Sequence, residues 1–438
     1  MGNIPKSRLL LMGGGVFLVI FAILIFTGLI PGLKSTSSKP DPNAIPSVNL
    51  SVWGVYDTKK IMTQVVSAGQ AGSITYRQMN PATYEDDFLK ALALGQGPDV
   101  FMVHSSWLPK KFDIMAGAST AQFSLQSLET LFPRVVEQDF TAKGKVYALP
   151  LYLDTLALFY NKEIFDQNGL VEPPKTWTDF EQLIPTLREV DLTNNKITKA
   201  AAAIGGSGKT INRESDIISL LMLQSGVTMT DAKFRGASFS QSGLAPLRYY
   251  LKFSDPKSRV YTWNDGLNYS VDWFSEKKAA MMFNYSFAID LLKKKNQFLR
   301  YGVSPMLQPG GSKPEVNYAS YWGLAVSNKS KNQRAAWNFI TKLTTSQAGM
   351  ERYSKLTGRP PALRALIEKY KNDPQLGVFV QQALTARSWL QVDHERIDVI
   401  FSDMVDSVLT GELDAGKALK RAAQTITAMI QQQKKFTP

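Results

Sequence analysis

Side chains that could perform covalent or metal chemistry are scarce in this chain. Its 438 residues include no cysteine and only two histidines, His104 and His394. A cysteine nucleophile, a thiolate metal site and a disulfide bond are therefore excluded, and two histidines alone do not support a catalytic metal centre. No pair of carboxylates can be placed from the sequence at the separation that glycoside hydrolysis needs. We expect no metal, no cofactor and no enzyme activity.

One glycine-rich segment is similar to the end of a phosphate-binding loop. It reads Gly205-Gly206-Ser207-Gly208-Lys209-Thr210. The full motif Gly-x-x-x-x-Gly-Lys-Thr requires glycine at the position that Ala203 occupies. We therefore interpret the segment as an ordinary loop and do not predict a nucleotide site.

The chain is strongly basic, with a net charge of +13 at pH 7. Its basic residues are scattered in short clusters such as Lys110-Lys111 and Lys293-Lys294-Lys295. They do not form the stripe with interleaved aromatic residues that favours nucleic acid, so we interpret them as solvated surface and expect no nucleic-acid partner. The alternative is long-range attraction to an anionic membrane surface, an anionic wall polymer or an acidic ligand.

The amino-terminal region predicts a membrane anchor. Residues 9–33 are almost wholly apolar or glycine and carry no charge, and at about 1.5 Å per residue they can cross roughly 30 Å of hydrocarbon. We assign residues 1–34 to a cytoplasmic amino terminus and an uncleaved transmembrane helix. A long signal peptide that is removed is the alternative. Residues 35–46, rich in serine and proline, predict a flexible linker.

The elements that follow the linker alternate as in an α/β fold. Strands are predicted at residues 48–53, 73–78 and 99–103, with helical patterns between them. This order indicates parallel strands with helices on their faces. Ligands in such sheets bind beyond the carboxyl ends of the strands, which directs attention to Trp53–Tyr56 and His104–Trp107.

A second unit begins after Asp154 with a recognisable helix start. Thr176 and Asp179 are spaced as a capping box, in which each side chain bonds the other residue's backbone amide. Trp177 is expected in the core, and Pro185 is expected to kink the helix because it removes an internal hydrogen bond.

Five segments follow one another in an order that resembles the family 1 extracellular solute-binding proteins, the maltose-binding-protein-like receptors of ABC importers. Gly144–Lys162 is similar to the family's lobe-crossing segment, and Ala91–Val100 to its first-lobe helix, turn and strand. The others are Trp273–Met281, Tyr318–Val326 and Ala335–Ile340. The resemblance spans roughly residues 48–431, and the order and spacing of the segments carry it.

The resemblance implies a two-lobed α/β clamshell of the periplasmic-binding-protein type (type II) that closes by hinge rotation. Crossovers are expected at Leu151–Thr155, near Val303–Met306 and around Thr344–Ser346. The first lobe would then comprise residues 47–153 and 306–345, and the second lobe residues 154–305 and 346–438.

The resemblance also implies a cleft that holds a sugar-like solute. Sugar rings have apolar C–H faces that pack on aromatic rings, and their hydroxyls need directional donors and acceptors. The predicted ligand-binding residues are Trp53, Tyr56, His104, Ser105, Ser106 and Asp154 from the first lobe and crossover, with Asn284, Tyr285, Phe287, Tyr321 and Trp322 on the other sides.

Asp154 is the strongest of these predictions. It aligns with an acidic crossover position of maltose-type relatives, and a carboxylate can accept two hydroxyl hydrogen bonds. A structural cap or hinge acid is the alternative. Phe287 stands where similar proteins carry a stacking tryptophan, and it lacks the indole donor.

Three residues, His104, Arg359 and Trp389, also have a structural interpretation that involves no ligand. His104 can be read as a strand-end histidine bonded to backbone. Arg359 matches a loop that approaches the cleft in relatives, but we expect it to be exposed at the surface, and we expect Trp389 to serve packing.

The function implied by the resemblance is capture without chemistry. The chain would be a single-pass, membrane-anchored receptor with its binding region outside the cytoplasm, delivering a carbohydrate or similar polar solute to ABC permease subunits. The alternative is a sensory or adhesion module that holds glycan or wall polymer without transport. A glycan-cleaving enzyme is a third class, for which the residues offer no positive support.

Overall fold

The computed structural model describes residues 48–438 except 192, 195, 312, 313, 434, 435 and 437. The predicted anchor and linker, residues 1–46, lie outside the described residues. Within the part of the chain that is described, no helix is long and apolar enough to cross a membrane.

The framework consists of strands that form two five-stranded sheets and two shorter ladders. The strands are β1 (Leu50–Gly54), β2 (Ile74–Gln78), β3 (Val100–His104), β4 (Thr141–Ala142), β5 (Lys145–Val146), β6 (Ala148–Pro150), β7 (Ala157–Asn161), β8 (Glu189–Asp191), β9 (Lys196–Ala202), β10 (Ala279–Asn284), β11 (Tyr301–Ser304), β12 (Asn317–Tyr318), β13 (Trp322–Val326) and β14 (Ala386–Arg387). The strand orders of the two large sheets are β2-β1-β3-β13-β6 and β11-β7-β10-β9-β8. The shorter ladders pair β12 with β14 and β4 with β5.

Helices cover the sheets and connect their strands. They are α1 (Lys59–Ala68), α2 (Tyr84–Ala93), α3 (Leu108–Lys111), α4 (Leu125–Leu131), α5 (Arg134–Phe140), α6 (Lys162–Gln167), α7 (Trp177–Leu187), α8 (Glu214–Gln224), α9 (Leu244–Leu251), α10 (Ser270–Ser275), α11 (Ala288–Lys295), α12 (Gln333–Thr345), α13 (Gln347–Thr357), α14 (Arg364–Tyr370), α15 (Gly377–Gln382), α16 (His394–Leu409) and α17 (Ala415–Gln432). Short 3-10 turns lie at Phe112–Ile114 and Phe239–Gln241.

The first sheet confirms the predicted β-α-β opening. Strand β1 runs parallel to both β2 and β3, and α1 packs on β2. All five residues of β3 are buried, as expected for a strand covered on both faces. Strand β13 joins antiparallel to β3 with Trp322 opposite His104. This register places an indole beside an imidazole at the carboxyl end of β3.

The predicted start of helix α7 is confirmed. The Thr176 hydroxyl accepts from the Asp179 amide at 3.1 Å, and the Asp179 carboxylate accepts from the Thr176 amide at 3.1 Å. Trp177 is buried, as predicted, and its indole N–H donates to Gln224 Oε1 at 2.7 Å. Pro185 lies inside the helix, two residues before its end.

The chain passes between the two sheets more than once. It leaves the first sheet after Pro150 and enters the second at Ala157, and it leaves the second sheet after Ser304 and re-enters the first at Trp322. Further along, α13 packs against α1 beside the first sheet, whereas α16 packs against α8 and α17 against α9. Because these connections join the two sheets, the ends of both sheets face one shared cleft.

Candidate functional site

A cavity of about 390 Å³ lies between the ends of the two sheets, within the range typical of small-molecule sites. The first sheet contributes the segments after β1 and β3 and the start of β13. The crossing segment 151–156 and the loops before α8 and after β10 close the other sides. The lining residues are Val55, Tyr56, Pro81, Tyr84, Glu85, His104, Trp107, Tyr152, Asp154, Arg213, Tyr285, Phe287, Ser320, Trp322, Arg359, His394 and Glu395.

Trp322 is the centre of an aromatic wall. Tyr56 and Trp107 meet its ring edge to face, with centroids 5.4 Å and 5.3 Å away and interplanar angles of 81° and 63°. Tyr84 stacks on Trp107 at 5.9 Å and donates its hydroxyl to the Met102 carbonyl at 2.8 Å. Because its neighbours hold it from several sides, the indole is pre-positioned to pack against an apolar face of a ligand.

A second aromatic surface comes from the loop after β10. Tyr285 and Phe287 stack at 6.2 Å with an interplanar angle of 25°. Tyr285 is buried and donates to Asp216 Oδ2 at 3.0 Å, while the Phe287 ring is 41% exposed. The partly exposed ring therefore contributes apolar surface to the cavity.

His104 is held in place by two serine hydroxyls and one backbone amide, since its Nδ1 also accepts from the Ser106 N–H at 3.3 Å. Its Nδ1 lies 2.7 Å from the Ser106 hydroxyl and its Nε2 lies 3.0 Å from the Ser320 hydroxyl. The His394 ring stacks on it with centroids 4.9 Å apart. Burial lowers the pKa of His104 well below its usual value, so the imidazole is neutral and serves as a hydrogen-bonding spacer beside Trp322.

Asp154 ties the crossing segment to the loop after β10. Its Oδ1 accepts from the Thr155 amide at 2.9 Å, and its Oδ2 accepts from the Ser286 amide and hydroxyl at 3.0 Å and 2.6 Å. Burial raises the pKa of Asp154 to about 7, and the bonds from Ser286 oppose this rise. The carboxyl borders the cavity, but the protein itself supplies hydrogen-bond donors to both oxygens.

Arg359 belongs to a buried charge cluster, and the expectation that it is exposed at the surface is wrong. Its side chain is only 16% exposed and lies over the Tyr152 ring, with 4.8 Å from Cζ to the ring centroid. Nη1 donates to Asp57 Oδ1 at 2.8 Å and to the Tyr353 hydroxyl at 2.6 Å. The fold buries this loop residue because its charge is compensated by a carboxylate that is 1% exposed.

A second charge cluster lies at the rim near α3. Glu85 accepts from Lys110 at 2.7 Å and from Lys111 at 2.5 Å, and Lys110 also contacts Asp393 at 2.9 Å. Two cations thus face two carboxylates, and this part of the rim is electrically balanced.

The predicted site residues separate into two groups. The cavity brings together Tyr56, His104, Asp154, Tyr285, Phe287 and Trp322, while Ser105 and Ser106 line a smaller cavity that adjoins it. Three others lie elsewhere in the packing. Trp53 is buried under the Arg77 guanidinium, Asn284 is fully buried and donates to Asn212, and Tyr321 is fully buried and donates to Asp139.

Several lining residues were not predicted. Trp107 and Tyr152 lie in His104–Trp107 and Leu151–Thr155, two segments that the sequence assigns to the cleft. Their position in these segments could therefore have identified them. Arg213, His394 and Glu395 come from distant helix starts, and no local pattern marks them. Trp389 packs on Phe401, as predicted, with parallel rings 6.3 Å apart.

A carboxylate of the protein itself accepts hydrogen bonds from the glycine-rich segment 205–210. Asp265 accepts from the Ser207 amide at 2.9 Å and from the Thr210 hydroxyl at 2.6 Å. These are donors that a phosphate would need, so the interpretation as a loop holds. Among the described residues, no group of three or more His, Asp or Glu side chains could hold a metal ion.

Raising the pH from about 5.5 to about 8 is expected to reduce the free energy of unfolding by about 2 kcal/mol through Asp139 alone. Burial raises the pKa of this carboxyl from 3.8 to about 7, although Ser388 and Tyr321 donate to it. The folded state therefore retains a proton that the unfolded state has lost. This stabilisation is complete below the unfolded pKa and disappears as the pH rises through 7. Urea unfolding at the two pH values measures the change.

The control is Asp139→Asn, which cannot titrate. His104 acts in the opposite direction, since its lowered pKa makes acid conditions destabilising, so only the difference between wild type and variant isolates Asp139. Identical pH dependence of both proteins would contradict the prediction.

A family model described as "Bacterial extracellular solute-binding protein" matches residues 66–378. A putative binding protein of Brucella abortus is 23% identical over 77% of this chain and 81% of its own length. The multiple sugar-binding protein of Streptococcus mutans is 26% identical over 62% of this chain and 64% of its own length.

A solved structure shows the same fold. The cyclic alpha-maltosyl-1,6-maltose binding protein of Arthrobacter globiformis superposes with a TM-score of 0.73 at 18% identity, covering 88% of this chain and all of that one. This likeness confirms the predicted two-lobed α/β architecture. The matched family model describes solute-binding proteins, which agrees with the prediction of capture without chemistry.

Proposed function

Because the chain belongs to the bacterial extracellular solute-binding proteins, we propose that it captures a carbohydrate or similar polar solute in the cavity between its two sheets and delivers it to an ABC importer. The observation that carries the proposal is the pairing of the Trp322 wall with the exposed Phe287 ring around about 390 Å³ of space. Such rings suit the C–H faces of sugars, and the hydroxyl and charged groups beside them suit sugar hydroxyls. The sugar-binding relatives support the same class of solute.

Binding would shift the population of the two lobes toward a closed state. Only the closed state allows a solute to touch Trp322 and Phe287 together, so the solute stabilises closure by its extra contacts. The bounds expected from the sequence place the first lobe at residues 47–153 and 306–345 and the second at residues 154–305 and 346–438. The packing of α13 on α1 supports moving residues 346–357 to the first lobe, so that the second lobe would resume at residue 358.

The location of the receptor is also part of the proposal. Residues 9–33 would hold it at the cell membrane as a single-pass anchor, with residues 47–438 outside the cytoplasm. The length and apolar character of that segment and the extracellular family support this arrangement. The closed surface of the two lobes would then bind the permease subunits.

Isothermal titration calorimetry with monosaccharides, disaccharides, maltodextrins, amino sugars, sugar acids and polyols tests solute capture. We expect saturable heat with at least one of them and a smaller radius of gyration by X-ray scattering in its presence. The Phe298→Ala variant, which alters a ring that is 77% exposed and does not line the cavity, should bind equally well. No heat with any compound in the panel would overturn the carbohydrate proposal.

A further inference from the structure

Arg213 occupies an unusual backbone position at the edge of the cavity. It precedes helix α8 with φ 68° and ψ 25°, in the left-handed region that residues with a Cβ rarely adopt. Conformations of this kind persist where the surrounding structure enforces them, and they occur often at ligand sites.

The guanidinium is positioned by its neighbours but is not neutralised by them. Cζ lies 5.1 Å from the Phe287 ring centroid and 5.7 Å from that of Tyr285. Nε donates to Asn212 Oδ1 at 3.2 Å, and the same oxygen accepts from Asn284 Nδ2 at 3.0 Å. Among the described residues, the two Nη groups have no hydrogen-bond partner and no carboxylate lies within ion-pairing distance.

The remaining charges of the cavity do not compensate Arg213. Arg359 is paired with Asp57, and the rim cluster of Glu85 is balanced by its two lysines. Asp216 is the buried carboxyl that acts on Arg213 from beyond ion-pairing distance. Burial raises the pKa of Asp216 by more than Arg213 lowers it. A carboxyl with a raised pKa is less fully ionised, so Asp216 is a weaker counter-charge for Arg213.

Asp154 and Glu395 are the other lining residues without an ion-pair partner in the described chain. Both Asp154 oxygens accept hydrogen bonds from Thr155 and Ser286, and burial raises the pKa of this carboxyl to about 7, so it is only partly ionised at neutral pH. Glu395 is exposed to solvent and lies in the first turn of α16, where the helix dipole already favours a negative charge. Arg213 is half-buried between rings and has no such compensation. The cavity therefore favours a negative group on the ligand over a positive one.

We propose that the captured solute carries an anionic oxygen group, a carboxylate or a phosphate, which the Nη groups of Arg213 bind beside the Phe287 ring. This inference rests on the proposed function and specifies its solute class as an acidic sugar or polyol. The planar guanidinium can offer two parallel N–H donors to such a group, and the adjoining ring packs against the neighbouring carbon atoms. The net charge of +13 would attract the same solutes from a distance.

Calorimetry with matched pairs of compounds tests the inference. The pairs are glucose with glucuronate, galactose with galacturonate, glucose with glucose 6-phosphate, and glycerol with glycerol 3-phosphate. In at least one pair we expect the acidic member to bind about tenfold or more tightly than the neutral one, as a charged hydrogen bond predicts. The first two pairs report on a carboxylate and the last two on a phosphate. Raising NaCl from about 50 to about 500 mM should weaken this preference.

Variants assign the preference to Arg213. Arg213→Gln should weaken binding of the preferred acidic compound about tenfold or more and should remove most of the difference in affinity between this compound and its neutral partner. Arg213→Gly should show the same loss. Because glycine adopts the left-handed conformation without strain, this variant distinguishes loss of the guanidinium from a folding defect. Arg300→Gln removes an equal charge from an exposed pair outside the cavity and should change little.

The outcomes separate the two proposals. Binding of neutral sugars with no acidic preference in any pair overturns the inference and leaves carbohydrate capture standing. An acidic preference that survives in both Arg213 variants also overturns it. Absence of binding by all seven compounds and by the wider carbohydrate panel overturns both proposals.

Discussion

Replacing Asp57 by alanine is expected to lower the free energy of unfolding by about 3–5 kcal/mol. The Asp57 side chain is 1% exposed and accepts from Arg359 Nη1 at 2.8 Å and from the Tyr353 hydroxyl at 2.9 Å. Its removal leaves a largely buried guanidinium without a counter-charge, and the desolvation cost of that charge is then uncompensated. Urea unfolding followed by circular dichroism at neutral pH measures the loss.

A matched control is available at an exposed ion pair. Asp166 and Arg300 are 3.2 Å apart, with side chains 60% and 64% exposed. Asp166→Ala should therefore cause little measurable change, because solvent screens such pairs. The double variant Asp57→Ala with Arg359→Met should recover part of the stability lost in Asp57→Ala, since it removes the unpaired cation. Equal losses in Asp57→Ala and Asp166→Ala would contradict the assignment of a buried pair.

Replacing Trp322 by alanine is expected to weaken solute binding by about 30-fold or more, the effect of losing a central aromatic contact. Tyr56, Trp107 and His104 all pack against this indole, with centroids within 5.4 Å. The substitution therefore removes a ring from the cavity wall and also releases the neighbours that the ring held. Calorimetry with the tightest-binding compound of the panel gives the change in affinity.

Two further measurements make this result specific. Trp322→Phe keeps an aromatic face and should retain most of the affinity that Trp322→Ala loses. Unfolding curves of both variants, recorded with and without solute, show whether the fold persists. A folded Trp322→Ala protein with unchanged affinity would remove this residue from the binding surface.

The secondary structure of the first sheet follows from local sequence. Strands β1, β2 and β3 lie within about two residues of their predicted positions because alternating or continuous apolar runs bounded by glycine and proline are local signals. The start of α7 was predicted for the same reason, since a capping box needs only residues three apart. The two-lobed architecture, in contrast, was predicted from the family resemblance and not from local patterns.

The position of the cavity could also be predicted, but only part of its lining. Tyr56 and His104 follow the carboxyl ends of β1 and β3, where parallel sheets place their ligands. Trp53 lies one residue before the end of β1 and is buried under Arg77 instead. Tyr321 adjoins Trp322 in sequence, yet its ring is buried and its hydroxyl bonds Asp139. Neighbouring residues of a strand point in opposite directions, so a one-residue difference decides between cavity and core.

The sequence by itself determined the α/β class and the positions of the first strands along the chain. It also determined the scarcity of catalytic groups and the aromatic character of the cleft. These depend on composition and on contacts between residues close along the chain. Only the tertiary structure decided which charges are paired. Arg359 meets Asp57 across 302 positions of sequence, while Arg213 meets aromatic rings and forms no ion pair with a carboxylate of the described residues. Ion pairing depends on distances of a few ångströms between remote segments, and no local pattern encodes those distances.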